Sequence, residues 1–232
     1  MKDTPLLMRS ELVAASLRGE KDVTRRLRGL SASAMRKPGA VYVNDDPSAW
    51  WFQRMEGASA RFHAMTEARQ LEVRCPYGCP GDRLWLREAW RIQRCDDVRR
   101  LAVVEWNTPD PANDGYNDAQ VLGVPLGLAM PRRSNQTWRS PIHMPRWASR
   151  CTVEICSVRP ERVQSITEED AKREGVTPLA TSHRGYPGTG AALTTHEPRY
   201  RAGFAAVWRS MHGDHWERNG YCWRVEYRRI ET

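Results

Sequence analysis

The stretch Gly19–Arg26, Gly-Glu-Lys-Asp-Val-Thr-Arg-Arg, brings an amine, a hydroxyl and two guanidinium groups together within eight residues. If helical geometry continued here, Lys21 and Thr24 would project from the same side, because they are three residues apart. A hydroxyl beside a neutral lysine is one way to make an activated nucleophile, since the amine can take the hydroxyl proton. The alternative interpretation is a solvated helix end, with basic residues near the negative end of the helix dipole.

The scarcity of lysine bears on this choice. The chain has 36 basic residues, and only four of them are lysines, Lys2, Lys21, Lys37 and Lys172. A chain with such a preference for arginine is expected to use arginine wherever positive charge alone is needed. Arginine stays protonated in a protein, whereas a buried lysine can lose its proton. The presence of Lys21 therefore favours an amine that titrates.

Two predicted helices would position the chemical groups. Residues 8–18 form an amphipathic pattern, with Ser10 as the expected N-cap and Gly19 at the left-handed position that ends a helix. The Gly19–Arg26 stretch should then leave this helix as a loop or a strand. Residues 165–175 predict a second helix, with acids in its first turn, basic residues in its last and Gly175 at its end. Glu174 does not fit this pattern, because a carboxylate in a last turn is electrostatically unfavourable.

The remaining pattern predicts a mainly β fold with few helices. Strands are expected at 83–90, 101–106, 151–158 and 222–229, in one barrel-like sheet with helix 10–18 against it. A third helix is expected from Tyr200 to Met211, and Trp50-Trp51-Phe52 with Met55 is interpreted as part of another. The prediction is a single domain over residues 1–232, with insertions at 29–73, 107–137 and 177–198.

Composition favours a polyanionic partner. The net charge of +8 and a pI near 9.5 indicate nucleic acid first and an anionic membrane surface second. Residues 138–150 mix prolines with basic and aromatic residues, which suits either a nucleic-acid cleft or a buried proline-rich crossing. No apolar run is long enough to span a bilayer, and residues 1–7 lack signal-peptide character. A cytoplasmic protein is expected.

The six cysteines do not predict a metal site. Cys75 and Cys79 are four residues apart, as zinc ligands can be, but no matching second pair follows. His212 and His215 are separated by Gly213, which argues against a regular helical face. In a reducing compartment the cysteines are expected to be thiols. No metal and no cofactor are expected.

Four segments together resemble the ASCH domain family, whose members have a PUA-like β-barrel fold. The first is Gly19-x-Lys21-x-x-Thr24-x-Arg26, and the second runs from Cys75 to Glu88, Cys-Pro-Tyr-Gly-Cys-Pro-Gly-Asp-Arg-Leu-Trp-Leu-Arg-Glu. The third is Ser-Pro-Ile-His-Met-Pro-Arg-Trp-Ala-Ser-Arg at 140–150, and the fourth is Ile-Thr-Glu-Glu-Asp-Ala-x-x-Glu-Gly at 166–175. In this order they resemble the longer ASCH proteins of phage and prophage genomes. The resemblance covers residues 6–230 and is weakest over 40–70, 107–135 and 177–198.

The resemblance implies an amidohydrolase site. Small ASCH enzymes remove the acetyl group from N4-acetylcytidine, and their lysine, threonine and glutamate fall here on Lys21, Thr24 and Glu174. These imply a threonine nucleophile, a lysine general base and a glutamate that orients the lysine. This chain is about twice the length of those enzymes, so the chemistry transfers more safely than the substrate.

Residues expected to hold substrate or nucleic acid are Gly19, Arg25, Arg26, Arg146 and Trp147, with Arg26 also a candidate for the oxyanion or a phosphate. Two other functions stay open. One is a non-catalytic RNA- or DNA-binding module, such as a reader of modified bases, and the other is a ribonuclease. The discriminating feature is whether Lys21 meets Thr24 and Glu174 or points outward as a phosphate contact.

Overall fold

The structure, a computed structural model, describes residues 1–28, 30, 40–42, 50–54, 70–109, 117–128, 137–179 and 199–230. Contacts divide the chain into two compact units. Unit 1 comprises Met1–Lys21, Tyr77–Cys156 and Tyr227–Thr232. Unit 2 comprises Asp22–Pro76 and Ser157–Glu226.

The described residues form a mixed α/β structure made mainly of strands. The strands are β1 (Asp3–Leu7), β2 (Val23–Arg26), β3 (Ala40–Tyr42), β4 (Trp50–Arg54), β5 (Gln70–Val73), β6 (Arg83–Arg87), β7 (Trp90–Asp96), β8 (Leu101–Pro109), β9 (Asn117–Gly123), β10 (Thr152–Arg162) and β11 (Tyr221–Ile230). The helices are α1 (Ser10–Leu17), α2 (Glu168–Arg173) and α3 (Tyr200–His212). Short 3-10 turns at Pro141–His143, Arg146–Ala148, Val163–Ser165 and Gly213–His215 complete the set.

The strands form three sheets, and none of them closes into a barrel within the described ranges. The largest has the order β1-β6-β10-β11-β2, and the others are β3-β4-β5 and β7-β8-β9. In unit 1, β1 pairs parallel with β6, and β10 pairs antiparallel with β6 through Thr152–Glu154. In unit 2, β2 pairs antiparallel with β11, so that Thr24 lies opposite Val225. The small sheet β3-β4-β5 is antiparallel throughout.

Unit 1 has a core built on the antiparallel sheet β7-β8-β9. Its buried members are Trp90, Ile92, Ala102, Val104, Trp106, Val124, Met144 and Ala148. The indole N–H of Trp106 donates to the carbonyl of Ala148 at 3.1 Å, which satisfies its polar atom inside this core. Helix α1 belongs to the same unit, and a 2.9 Å hydrogen bond links the hydroxyls of Ser16 and Tyr227.

Unit 2 has a core where α2 and α3 pack together. Its buried members are Val163, Ile166, Ala171, Phe204, Ala205, Trp208, Trp216 and Cys222. Close packing depends on Gly203, because a Cβ there would lie 2.2 Å from the carbonyl oxygen of Thr177. This arrangement fixes α2, the helix that carries Glu174 at its end.

Several predictions are confirmed. Helices occur at Ser10–Leu17, Glu168–Arg173 and Tyr200–His212, and Gly19 and Gly175 have the expected left-handed backbone, with φ of +76° and +74°. Predicted strands 83–90, 151–158 and 222–229 correspond to β6, β10 and β11 of one sheet.

Other predictions are wrong. The strand predicted at 101–106 does not join that sheet, because Asp96–Arg100 turns the chain so that β8 pairs locally with β7. Trp50–Phe52 belongs to strand β4, where pairing with β5 satisfies the backbone, and four apolar residues could not distinguish helix from strand. Ser10 is not the N-cap of α1; Arg9 occupies that position without a side-chain hydrogen bond. The ranges expected as insertions, 107–137 and 29–73, contain β9 and β3–β5, and most of 177–198 lies outside the described residues. That these ranges are insertions stays a prediction.

Candidate functional site

The Gly19–Arg26 stretch does not continue helix α1, and its second half forms a strand. After α1, the N–H groups of Glu20 and Lys21 both bond to the carbonyl of Ala15, at 2.9 and 3.3 Å, while Gly19 reverses the chain direction. Strand β2 then begins at Val23. Lys21 and Thr24 are therefore not placed by an i, i+3 helical relationship, because the left-handed Gly19 ends the helix before them. Gly19 itself is exposed.

Lys21 and Thr24 both have buried side chains. Lys21 is only 2% exposed and is among the largest fully buried side chains of the described residues. Thr24 is 4% exposed, and its Oγ1 accepts a hydrogen bond of 3.2 Å from Nε of Arg26. This bond is possible because residues two apart on a strand project to the same face. A guanidinium thus lies directly beside the hydroxyl oxygen of Thr24.

Arg25 projects to the opposite face of β2 and is enclosed by carboxylates. Its side chain is fully buried, and it donates from Nε to Glu161 at 2.6 Å, from Nη2 to Asp170 at 2.8 Å and from Nη1 to Glu174 at 3.2 Å. A buried guanidinium needs such partners, because removing it from water without them costs several kcal/mol. The expected nucleic-acid contact by Arg25 does not fit this position; Arg25 is an internal partner of three acids.

The negative charge of Glu174 is balanced by an arginine from outside its own helix. It is the C-cap residue of α2, is 5% exposed, and its backbone N–H bonds to the carbonyl of Asp170 at 2.9 Å. The helix dipole disfavours a carboxylate here, but Nη1 of Arg25 bonds its Oε1. The cation on β2 explains how an acid is tolerated at this helix end.

A second layer of charges surrounds Arg25. Asp170 also accepts from Arg224 at 3.0 Å, and Arg224 reaches Glu226 at 2.7 Å. Burial opposes ionisation of Asp170, but hydrogen bonds from Arg224 and Arg25 prevail and lower its pKa to about 2. Burial likewise opposes ionisation of Glu226, and the bond from Arg224 outweighs it, so that its pKa is also lowered.

The outer edge of this cluster is formed by Arg173. It binds Asp22 through two hydrogen bonds of 2.7 and 3.0 Å and contacts Asp170 and Glu226 at 3.4 and 3.2 Å. We call the whole set the unit 2 ion cluster; it consists of Asp22, Arg25, Glu161, Asp170, Arg173, Glu174, Arg224 and Glu226. Five carboxylates and three guanidinium groups therefore fix the position of Glu174 relative to β2 and β11.

Sequence reasoning missed Glu161, Asp170 and Arg224 as site-supporting residues. Arg224 carried a signal, because it is a charged residue in the middle of Tyr221–Val225, a segment that is buried on both faces. Such a residue must be paired. Asp170 and Glu161 carried no signal of this kind, since acids in the first turn of a helix and at a strand end are ordinary.

His212 is a further residue near this site that sequence reasoning had weighed only as a metal ligand. It lies at the end of α3 and stacks on Trp208 with ring centroids 4.5 Å apart. The indole N–H of Trp208 donates to Nδ1 of His215 at 3.2 Å. Burial, then the neighbouring His215 and Arg26, lower the pKa of His212, so its imidazole is neutral at pH 7.

Arg146 and Trp147 lie in unit 1. Arg146 is partly exposed and donates to Asp3 and to the hydroxyl of Thr152, each at 3.0 Å. Trp147 packs edge-on against Trp90 at 6.4 Å between ring centroids. The proline-rich segment that carries these two residues forms two 3-10 turns that cover the unit 1 core. Of the two residues, Arg146 is the one that presents a charged group to solvent.

The described residues contain no group of three or more histidine, cysteine, aspartate or glutamate side chains arranged to hold a metal ion. No disulfide bond occurs within them, and they include all six cysteines. Burial raises the pKa of the Cys151 thiol to about 12 and raises that of Cys222 as well, so neither is a ready nucleophile.

Among the described helices, none combines the length and the apolar character needed to cross a membrane. Comparison with known proteins found no matching family model, no matching curated protein and no matching solved structure.

Proposed function

We propose that this chain is a hydrolase of the ASCH type, with a PUA-like fold, that cleaves the amide of an acylated cytosine nucleoside or base. The observation that carries the proposal is burial: Lys21, Thr24 and Glu174 are 2%, 4% and 5% exposed. A phosphate contact or a solvated helix end would leave the amine of Lys21 at the surface. Polar groups kept in the interior at a cost in free energy are typical of functional sites.

In the proposed mechanism Thr24 is the nucleophile. Its Oγ1 attacks the acyl carbonyl carbon while neutral Lys21 takes the hydroxyl proton, which gives a tetrahedral oxyanion. The oxyanion collapses with cleavage of the carbon–nitrogen bond, and protonated Lys21 gives its proton to the leaving amine. Water then hydrolyses the threonine ester with Lys21 again as base, which releases the carboxylic acid and restores Thr24.

The charged neighbours support these steps. Arg26 already donates to Oγ1 of Thr24, so its cation is close to the centre where negative charge develops. Glu174 is assigned the tuning of Lys21, and Arg25 keeps that carboxylate in a fixed orientation. In this proposal Arg25 is a positioning residue, and Arg26 is the arginine of the motif that faces substrate.

The test is hydrolysis of N4-acetylcytidine by the purified protein, followed as release of cytidine. Thr24→Ser keeps the hydroxyl and should retain measurable turnover, whereas Thr24→Ala should lose it. Thr4→Ala is the matched control, because Thr4 is a strand threonine that is 9% exposed and has an Oγ1 without a hydrogen-bond partner in the described structure. It should hydrolyse at the wild-type rate. Wild-type protein that releases no cytidine would overturn the hydrolase proposal.

The competing function is a non-catalytic module that binds nucleic acid or a modified base. The observation that favours it is the net charge of +8. The unit 2 ion cluster does not supply this positive charge, because its carboxylates outnumber its arginines. Cationic charge is therefore carried elsewhere on the molecule. A protein that binds RNA and releases no cytidine would be this module.

A further inference from the structure

One face of the unit 1 sheet carries arginines on each side of a tryptophan. Strand alternation puts Arg83, Trp85 and Arg87 of β6 on the same face, while Leu84 and Leu86 point into the core. On the neighbouring edge strand β1, Asp3, Pro5 and Leu7 share that face and are exposed. The β1 part of this face is therefore turned to solvent, while Arg83 and Arg87 of β6 are half-buried.

Two guanidinium groups lie over the ring of this tryptophan. The guanidinium carbon of Arg87 lies 4.4 Å from the centroid of the Trp85 ring, and that of Arg146 lies 5.9 Å from it. Trp85 is 7% exposed. Guanidinium groups over an aromatic ring are held flat and desolvated on one side, which leaves their other side available for stacking and their N–H groups available for anions.

The acids of this face are already paired with other arginines. Asp3 binds Arg146 at 3.0 Å, and Glu154 on β10 binds Arg228 at 3.1 Å. By contrast, Arg83 forms no ion pair within the described structure, and Arg87 only donates to the carbonyl of Ile142 at 3.1 Å. The Nε atoms of both are buried without a hydrogen-bond partner in the part of the chain that the structure describes. Among the described residues, no carboxylate forms an ion pair with Arg83 or Arg87.

We propose that this surface, the Arg83–Trp85–Arg87 face, binds single-stranded nucleic acid, with the two arginines on phosphates and bases stacked on the guanidinium planes over Trp85. The residues are four apart on a strand, which separates their Cα atoms by about 13 Å. Two cations at that distance with a stacking platform between them match an extended polyanion with flat bases. Planar groups with fixed donors suit phosphate and base stacking better than they suit a lipid surface. The face lies wholly in unit 1 and is independent of Thr24 chemistry.

Fluorescence anisotropy with a labelled single-stranded oligouridine tests this proposal, with binding measured from low to moderate salt. The double variant Arg83→Gln/Arg87→Gln should weaken binding by at least about tenfold and reduce the slope of log affinity against log salt by about 1.4, two phosphates at about 0.7 each. The control Arg94→Gln/Arg99→Gln removes the same charge from exposed positions on β7 and its turn. It should change both quantities much less.

A second double variant separates the contribution of stacking from that of charge, and a folding measurement accompanies all variants. Arg83→Lys/Arg87→Lys keeps both charges, so the salt slope should stay near wild type while affinity falls because planar stacking is lost. Thermal unfolding checks that each variant is folded. The proposal is overturned if the glutamine and control variants bind alike, if affinity does not depend on salt, or if anionic phospholipid vesicles bind this face and the oligonucleotide does not.

Discussion

Each unit contains buried ion pairs, but the two are built differently. In unit 1 the completely buried Glu88 accepts two hydrogen bonds from Arg150, at 2.8 and 3.0 Å, and a weaker one of 3.3 Å from Thr108. Arg150 lies over the ring of Trp106 at 4.9 Å. Arg150 is the arginine that pairs with this acid. In the unit 2 ion cluster, guanidinium groups are shared among five acids.

The two arrangements shift the pKa values of their acids in opposite directions. Burial raises the pKa of Glu88, because the bonds from Arg150 and Thr108 only partly offset the loss of water. Asp170 is also partly buried, yet two arginines lower its pKa to about 2. Sharing of cations therefore lowers the pKa of Asp170 and Glu226 in unit 2, whereas the Glu88–Arg150 pair leaves the pKa of Glu88 raised. A carboxylate that must stay ionised for function is better held in the second kind of environment.

Removing the central cation of each arrangement should have the largest effect on stability. Arg25→Leu leaves Glu161, Asp170 and Glu174 without their shared partner and should lower the free energy of unfolding by about 3–5 kcal/mol. Arg150→Leu strands only Glu88, which can take up a proton, so the loss should be smaller and should shrink from pH 7 to pH 5. Urea denaturation at both pH values measures this. Equal losses for the two variants at pH 7 would refute the distinction.

Acid should weaken the unit 2 ion cluster through Asp170. Its pKa is lower in the folded state than in the unfolded chain, so its contribution is present above the unfolded value near 4 and is lost as pH falls towards 2. We expect Asp170→Asn to remove on the order of 2 kcal/mol of stability at pH 7, and the gap from wild type to close between about pH 4 and 2. Asp97→Asn, in an exposed turn, is the control. A gap that persists at pH 2 would contradict the expectation.

The helix that carries Asp170 and Glu174 should depend on its cap. The hydroxyl of Thr167 accepts from the N–H of Asp170 at 3.0 Å, and Thr167→Ala should cost about 1 kcal/mol. Helix α1 has no side-chain cap, so Arg9→Ala should change stability much less. Thermal denaturation compares the two. If both variants unfold at the wild-type temperature, capping of α2 does not help to position the acids.

Local signals in the sequence were sufficient for the C-terminal ends of α1 and α2, although not for the N-cap of α1. Gly19 and Gly175 were recognisable as left-handed end residues, and Glu174 was recognisable as a misplaced acid, because dipole and backbone preferences act within a few residues. The compensation of Glu174 was not predictable. Its partner Arg25 is 149 positions away, and only the pairing of β2 with β11 and the packing of α2 bring the two together.

The sheet that each strand joins was only partly predictable from the sequence. The alternating patterns of β6, β10 and β11 predicted strands in one sheet, whereas β8 has the same kind of pattern and joins another. Strand pattern reports burial but not the partner, and the turn at 97–100, with Arg100 at φ +53°, decides that β8 pairs with β7. The burial of Arg25 was not predictable either, since an arginine within the Gly19–Arg26 stretch has no local sign of being interior.

Lys21→Arg tests most directly whether Lys21 is the proposed catalytic base. Arginine keeps the positive charge but cannot supply a neutral amine, so hydrolysis of N4-acetylcytidine should fall by about 10²–10⁴-fold. RNA affinity is measured in parallel and checks that the variant is folded, because arginine binds phosphate at least as well as lysine does. We expect turnover to collapse while RNA affinity is retained. A Lys21→Arg protein that hydrolyses at the wild-type rate would contradict the account.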